Sequence, residues 1–160
     1  MIYPNGSAKI IDRSKNIFKL SQGEYIAPEK LENIFVLSPY IAQAFVYGDS
    51  LRSCAVAIVV VEPDKLKKWA EDNGRSNESQ EKLLTDAGFK KLVFDDMSRL
   101  SVENKLSGLE KPKEIALTLT PFSVDNDILT PTFKLKRNIA REYFKPQINA
   151  MYDSLAKQGL

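Results

Sequence analysis

Two short segments concentrate the side chains able to meet an anion. Asp12-Arg13-Ser14-Lys15 sets one carboxylate and two cations between the apolar stretches Ala8–Asp12 and Asn16–Leu20. A loop so placed either presents its charges to an anionic ligand or is a solvated hairpin tip. Leu129–Arg137 carries Lys134 and Lys136 two residues apart, hence on one side of an extended segment. There too an anion clamp and a solvated edge are the alternatives. What is missing narrows the chemistry. With no histidine in the chain, a Ser-His-Asp triad, a Cys-His dyad and the H-E-x-x-H zinc helix are excluded within it, so proton transfer must use other groups. Neither G-x-x-x-x-G-K-[ST] nor G-x-G-x-x-G occurs, which removes the usual glycine-rich phosphate cradles. The single Cys54 makes neither an internal disulfide nor a Cys-rich zinc site and reads as a core residue.

The elements that must position these loops follow from periodicity. Pro4-Asn5-Gly6-Ser7 is a turn; Ala8–Asp12 and Asn16–Leu20 read as strands, and Ser21-Gln22-Gly23-Glu24 turns again. A helix is predicted from Ala27-Pro28, with Leu31, Ile34 and Phe35 on one face, ending before Pro39. Ile41–Tyr47 and Cys54–Val61 are the strongest strands, joined at Gly48-Asp49-Ser50. The second is apolar at every position, which predicts a central strand with helices on both faces. Glu62-Pro63-Asp64 opens a helix through Trp69, whose ring is a packing residue. Residues 72–79 are a polar loop, and 83–100 carry helical stripes interrupted near Gly88. A strand over 115–119 precedes a helical tail from Asn138, divided by Pro146.

The 160 residues, 43% apolar, suit one α+β domain with a small mixed sheet flanked by helices and an N-terminal two-stranded hairpin. Lys and Arg number 23 against 21 Asp and Glu, too near balance for a dedicated nucleic-acid binder. The longest apolar run, Cys54–Val61, falls far short of the roughly 20 residues of a membrane span. The start does not read as a secretory signal, and an intracellular placement is the expectation.

Residues 12–33, Asp12 through Glu24-Tyr25-Ile26-Ala27-Pro28 to Asn33, closely resemble the hinge segment of long-chain fatty acyl-CoA synthetases, members of the adenylate-forming superfamily. Leu129-Thr130-Pro131-Thr132-Phe133-Lys134-Leu135-Lys136-Arg137 resembles that family's catalytic-lysine segment, in the right order, and the likeness runs along essentially the whole chain. Many superfamily members carry glycine immediately before the lysine; here it is Phe133, which the long-chain subgroup tolerates.

The resemblance implies the mobile C-terminal domain of a ligase that makes an acyl-adenylate from ATP and a fatty acid, then transfers the acyl group to coenzyme A. Lys134 would be the catalytic lysine and Lys15 the hinge. Arg13 would meet the ATP ribose, with Asp12 orienting Arg13 or nearby backbone. Lys19 and Gly23 would lie on the thioester-forming loop beside CoA, and Lys136 with Arg137 would either meet CoA phosphates or form a solvated basic pair. The partner is a large N-terminal AMP-binding domain, expected to hold most contacts to ATP and Mg2+. The chain alone is expected to be inactive, and the intact enzyme to sit on an organelle or lipid-droplet surface, with this domain facing the cytosol. The other reading is a freestanding nucleotide- or CoA-binding module without catalysis.

Overall fold

Val56–Val61 consists of β-branched residues and one alanine, a composition that favours a pleated strand packed on both sides. In the computed structural model, which describes residues 16–159, all six are buried. The described elements run β1 (Phe18–Lys19), β2 (Tyr25–Ile26), α1 (Pro28–Phe35), β3 (Ile41–Tyr47), β4 (Val56–Val61), α2 (Pro63–Asp72), α3 (Gln80–Leu84), α4 (Ala87–Glu103), a 3-10 turn (Gly108–Glu110), β5 (Ile115–Thr118), α5 (Arg137–Tyr143) and α6 (Lys145–Lys157). The expected strand over 8–12 and the residues Asp12, Arg13 and Lys15 lie outside the described part.

The sheet is mixed. β4 pairs antiparallel with β3 and parallel with β5, so β3 and β5 form its edges. Alternation along β4 divides the core. Ala57, Val59 and Val61 face a cluster built with Leu31 and Phe35 of α1, Leu66 of α2 and Phe89 of α4. Val56, Ile58 and Val60 face Ile148, Met151, Tyr152 and Leu155 of α6. The expected two-sided coverage is present, and burying six such side chains contributes on the order of 10 kcal/mol before entropy is subtracted.

Several boundaries differ from expectation. The β3–β4 connection occupies 48–55 rather than a three-residue turn, because Asp49 folds the chain back by accepting the Leu51 N–H at 2.9 Å on its carboxylate and the Arg52 N–H at 3.1 Å on its carbonyl. β4 accordingly starts at Val56 instead of Cys54; Cys54 is buried as expected, and its carbonyl accepts the Tyr152 hydroxyl at 2.9 Å. The helical break falls at Thr85-Asp86, where the Asp86 carboxylate caps α4 by accepting from Gly88 and Phe89 at 2.8 and 3.1 Å. Gly88 sits inside the first turn. The strand expected over 16–20 shortens to Phe18–Lys19 and pairs with Tyr25–Ile26. Pro146 stands in the first turn of α6, where its missing N–H has no helical partner to lose.

The β1–β2 hairpin is tied to the β3–β4 loop. Ser21 N–H donates to the Arg52 carbonyl at 2.9 Å and the Gln22 amide to the Ser53 carbonyl at 2.7 Å. Gly48 leaves no room for a side chain, since a Cβ there would lie 2.6 Å from the Phe18 ring and 3.1 Å from Leu20. Gly48→Ala is therefore expected to lower stability by about 1–3 kcal/mol, with exchange of the hairpin amides rising most. Chemical denaturation with hydrogen exchange checks this, and an unchanged midpoint would refute it.

Arg75 joins the loop after α2 to the α4 cap, donating from Nε to Glu78 at 2.6 Å and from Nη1 to Asp86. The Arg75 hydrogen bond holds the Asp86 carboxyl below its ordinary range, with help from the Phe89 and Gly88 N–H groups. A depressed folded-state value contributes stability above the unfolded pKa of about 4 and loses it as pH falls through the folded value. Arg75→Gln should thus flatten the acid limb of the stability curve below about pH 4 while leaving its shape near neutrality, as thermal melts across pH would show.

Candidate functional site

The segment carrying Lys134 turns back on itself. Leu129 and Leu135 form an antiparallel bridge. Between them Phe133 N–H donates to the Thr130 carbonyl at 2.8 Å and Thr130 N–H to the Lys134 carbonyl at 2.8 Å. The Thr130 hydroxyl adds a third tie by accepting the Lys134 N–H at 3.0 Å. Pro131 suits the first corner of such a turn, and the residue before the return strand must take a positive φ, which favours glycine there. Phe133 occupies that position at φ 63° and is 74% exposed. The glycine common in the wider superfamily thus has a backbone explanation, and Phe133 holds the same geometry at a cost of roughly 1–2 kcal/mol.

Lys134 is exposed, and among the described residues no carboxylate forms an ion pair with it. Lys136 is different. Its Nζ lies 2.5 Å from Asp127 Oδ1, and its N–H donates to the Ile128 carbonyl at 2.7 Å. Arg137, the first residue of α5, is half-buried, and its Nη atoms are engaged within the fold. Nη1 and Nη2 donate to the two Glu32 carboxylate oxygens at 2.8 and 2.7 Å. Glu32 Oε2 also accepts the Val46 N–H of β3 at 2.8 Å. Upstream, the Gln43 side-chain amide donates to the Phe122 carbonyl at 3.1 Å and its oxygen accepts the Phe122 N–H at 2.7 Å.

These contacts frame an open cavity of about 660 Å³ between α1, β3 and the 129–138 segment, with Lys134, Lys136 and Arg137 together on its wall. Asn16 also lines it; Lys19 and Gly23 do not. Those two lie on the β1–β2 hairpin, Gly23 at φ 89° and the Lys19 ammonium 5.7 Å from the Tyr25 ring centre. Glu32 and Gln43 were not visible as site residues from sequence. For Glu32 a signal existed, since a carboxylate one residue after Leu31 and three before Phe35 falls on the buried stripe of α1. Gln43 stands beside the register shift in β3, which periodicity does not reveal.

Known proteins share this arrangement of chain. Across 95% of its length the sequence is 48% identical to the peroxisomal long chain acyl-CoA synthetase 6 of Arabidopsis thaliana and 47% identical to long-chain-fatty-acid–CoA ligase 1 of Homo sapiens. Its homologues are long-chain acyl-CoA synthetases. The chain spans 22% of the length of each of these synthetases. No family model matches. Among solved structures, the adenylation domain of a carboxylate reductase from Mycobacterium chelonae is 32% identical, with TM-score 0.78 over 92% of this chain and 21% of its own. The corresponding domain from Segniliparus rugosus, in complex with AMP and a co-purified carboxylic acid, is 30% identical with TM-score 0.77 over 94% of this chain and 22% of its own. The resemblance to synthetases and the α+β class are both borne out.

The strained position beside Lys134 yields a direct expectation. Phe133→Gly removes the positive-φ penalty and little buried area, while adding chain entropy to the unfolded state. Stability should stay level or rise by up to about 1 kcal/mol in denaturant titrations; a clear loss would mean that the ring makes contacts the backbone argument omits.

Proposed function

We propose that these residues form the C-terminal domain of a long-chain fatty acyl-CoA synthetase and deliver Lys134 to an active site completed by a large N-terminal AMP-binding domain. The single observation carrying this is Lys134 itself, held at a tight turn by three hydrogen bonds, with its ammonium exposed at a cavity wall. The identity to synthetases more than four times as long favours this reading over a freestanding nucleotide- or CoA-binding module.

In the first half-reaction the fatty-acid carboxylate attacks the α-phosphorus of ATP and pyrophosphate departs. Lys134 bridges the carboxylate and the α-phosphate as negative charge gathers between them. An ammonium about 4 Å from a charged oxygen, at an effective dielectric near 20, supplies on the order of 4 kcal/mol, a rate factor of roughly a thousand. Arg13 then holds the ribose hydroxyls, with Asp12 orienting it or the neighbouring backbone. In the second half-reaction the CoA thiol attacks the acyl carbon and AMP leaves. The domain turns about Lys15 for this step, bringing Lys19 and Gly23 to the pantetheine.

Among the described residues no group of three or more acidic or thiol side chains converges on a possible metal position. In this reading Mg2+ accompanies ATP and is held mainly by the N-terminal domain. Among the described residues no helix is long and apolar enough to cross a membrane. The intact enzyme sits on an organelle surface in this reading, in keeping with the names of the peroxisomal Arabidopsis relatives, with this domain on the cytosolic side.

Lys134→Ala in the complete ligase should slow fatty-acid-dependent pyrophosphate exchange by roughly a thousandfold. Transfer of the acyl group from supplied acyl-adenylate to CoA should persist. Exchange at the wild-type rate would overturn the assignment.

A further inference from the structure

An ammonium acts as a transition-state clamp only if its backbone is held to a fraction of an ångström. In this fold two side-chain clamps on the edge strand β3 bracket the Lys134 segment, Gln43 on Phe122 before it and the Val46–Glu32–Arg137 chain after it. The second is the stronger. Arg137 follows Lys134 by three residues and begins α5. Its guanidinium meets Glu32 through two bonds of 2.8 and 2.7 Å, a geometry that determines the plane as well as the position of the fork. Glu32 is 8% exposed. Its third bond, to the Val46 N–H, makes the carboxylate a rivet between α1, β3 and α5.

We propose that Glu32 and Arg137 are a positioning pair for Lys134, acting through the backbone and not on the substrate. This rests on the assignment of Lys134 above. The constraint passes back along the chain through bonds already described. Arg137 pins the start of α5, Lys136 N–H is held on Ile128, and the Thr130–Lys134 pair closes the turn. A buried ion pair is seldom the most stabilising filling for its space, since apolar residues of similar volume often do as well. What it adds here is orientation. Both partners also line the cavity on which Lys134 stands, so an apolar pair would alter the wall of the site as well as the turn.

The test is a set of variants in the complete ligase, Glu32→Gln and Arg137→Lys, each alone and combined with Lys134→Ala. Pyrophosphate exchange, acyl transfer from supplied acyl-adenylate and thermal melting are measured together. Each single variant should lower kcat for adenylation about tenfold or more, with KM for ATP and acyl transfer little changed. Combined with Lys134→Ala, neither should lower adenylation further, because the group being positioned is already gone. A full additional loss in the combined variants would overturn the proposal and leave the pair a purely structural contact. Wild-type adenylation in both single variants would overturn it too. If Glu32→Gln melts below the assay temperature, Arg137→Lys decides, since it keeps the cation and loses only the paired fork. Undiminished adenylation in Lys134→Ala alone would instead count against the assignment of Lys134.

Discussion

Strand β4 has no face toward water. Its six side chains alternate between two apolar clusters, and each cluster requires its own helices, α1 to α4 on one side and α6 on the other. Everything else in the molecule is arranged around that demand. Because β5 lies parallel to β4, the chain must cross from one end of the sheet to the other, and α2, α3 and α4 occupy the crossing. Because β3 is left as an edge, its unpaired backbone groups need partners, and the fold supplies side chains in place of a further strand.

That edge is where structure passes into chemistry. The Val46 N–H is satisfied by Glu32, and Gln43 pairs both its amide groups with the backbone of Phe122. The groups that blunt the edge also hold the two ends of the segment bearing Lys134. Elsewhere the same economy appears in Asp49, which shapes the β3–β4 connection and accepts the Tyr47 hydroxyl at 2.7 Å. Burial and that acidic neighbour push the Tyr47 phenol up to about 12, so it remains a neutral donor across the physiological range.

Most of the architecture was legible in the residues. The all-apolar run at Val56–Val61 announced a two-sided strand, Pro28 and Pro63 marked helix starts, and Pro146 the division of the tail. What escaped was decided by single side chains acting at a distance or on their own loop. Asp49 lengthened a turn and Asp86 moved a helix start by capping, both ordinary Asp behaviour but with competing sites in the sequence. At the site, Lys134 was found by motif, whereas its supports were not. Glu32 and Arg137 are 105 residues apart, and no local period connects them. Phe133 was visible as a departure from glycine, but only the φ of 63° gives that departure a physical meaning.

The same separation has a consequence for synthesis. A chain growing at about 5–20 residues per second exposes Glu32 roughly 5–20 seconds before Arg137 is added. Over that interval the paired fork of Arg137 is not yet in place, so this contact between α1 and α5 forms after the β3–β4 pair and the crossing helices have been synthesised. The second anchor of the Lys134 turn is thus added late in translation, with the first residue of α5.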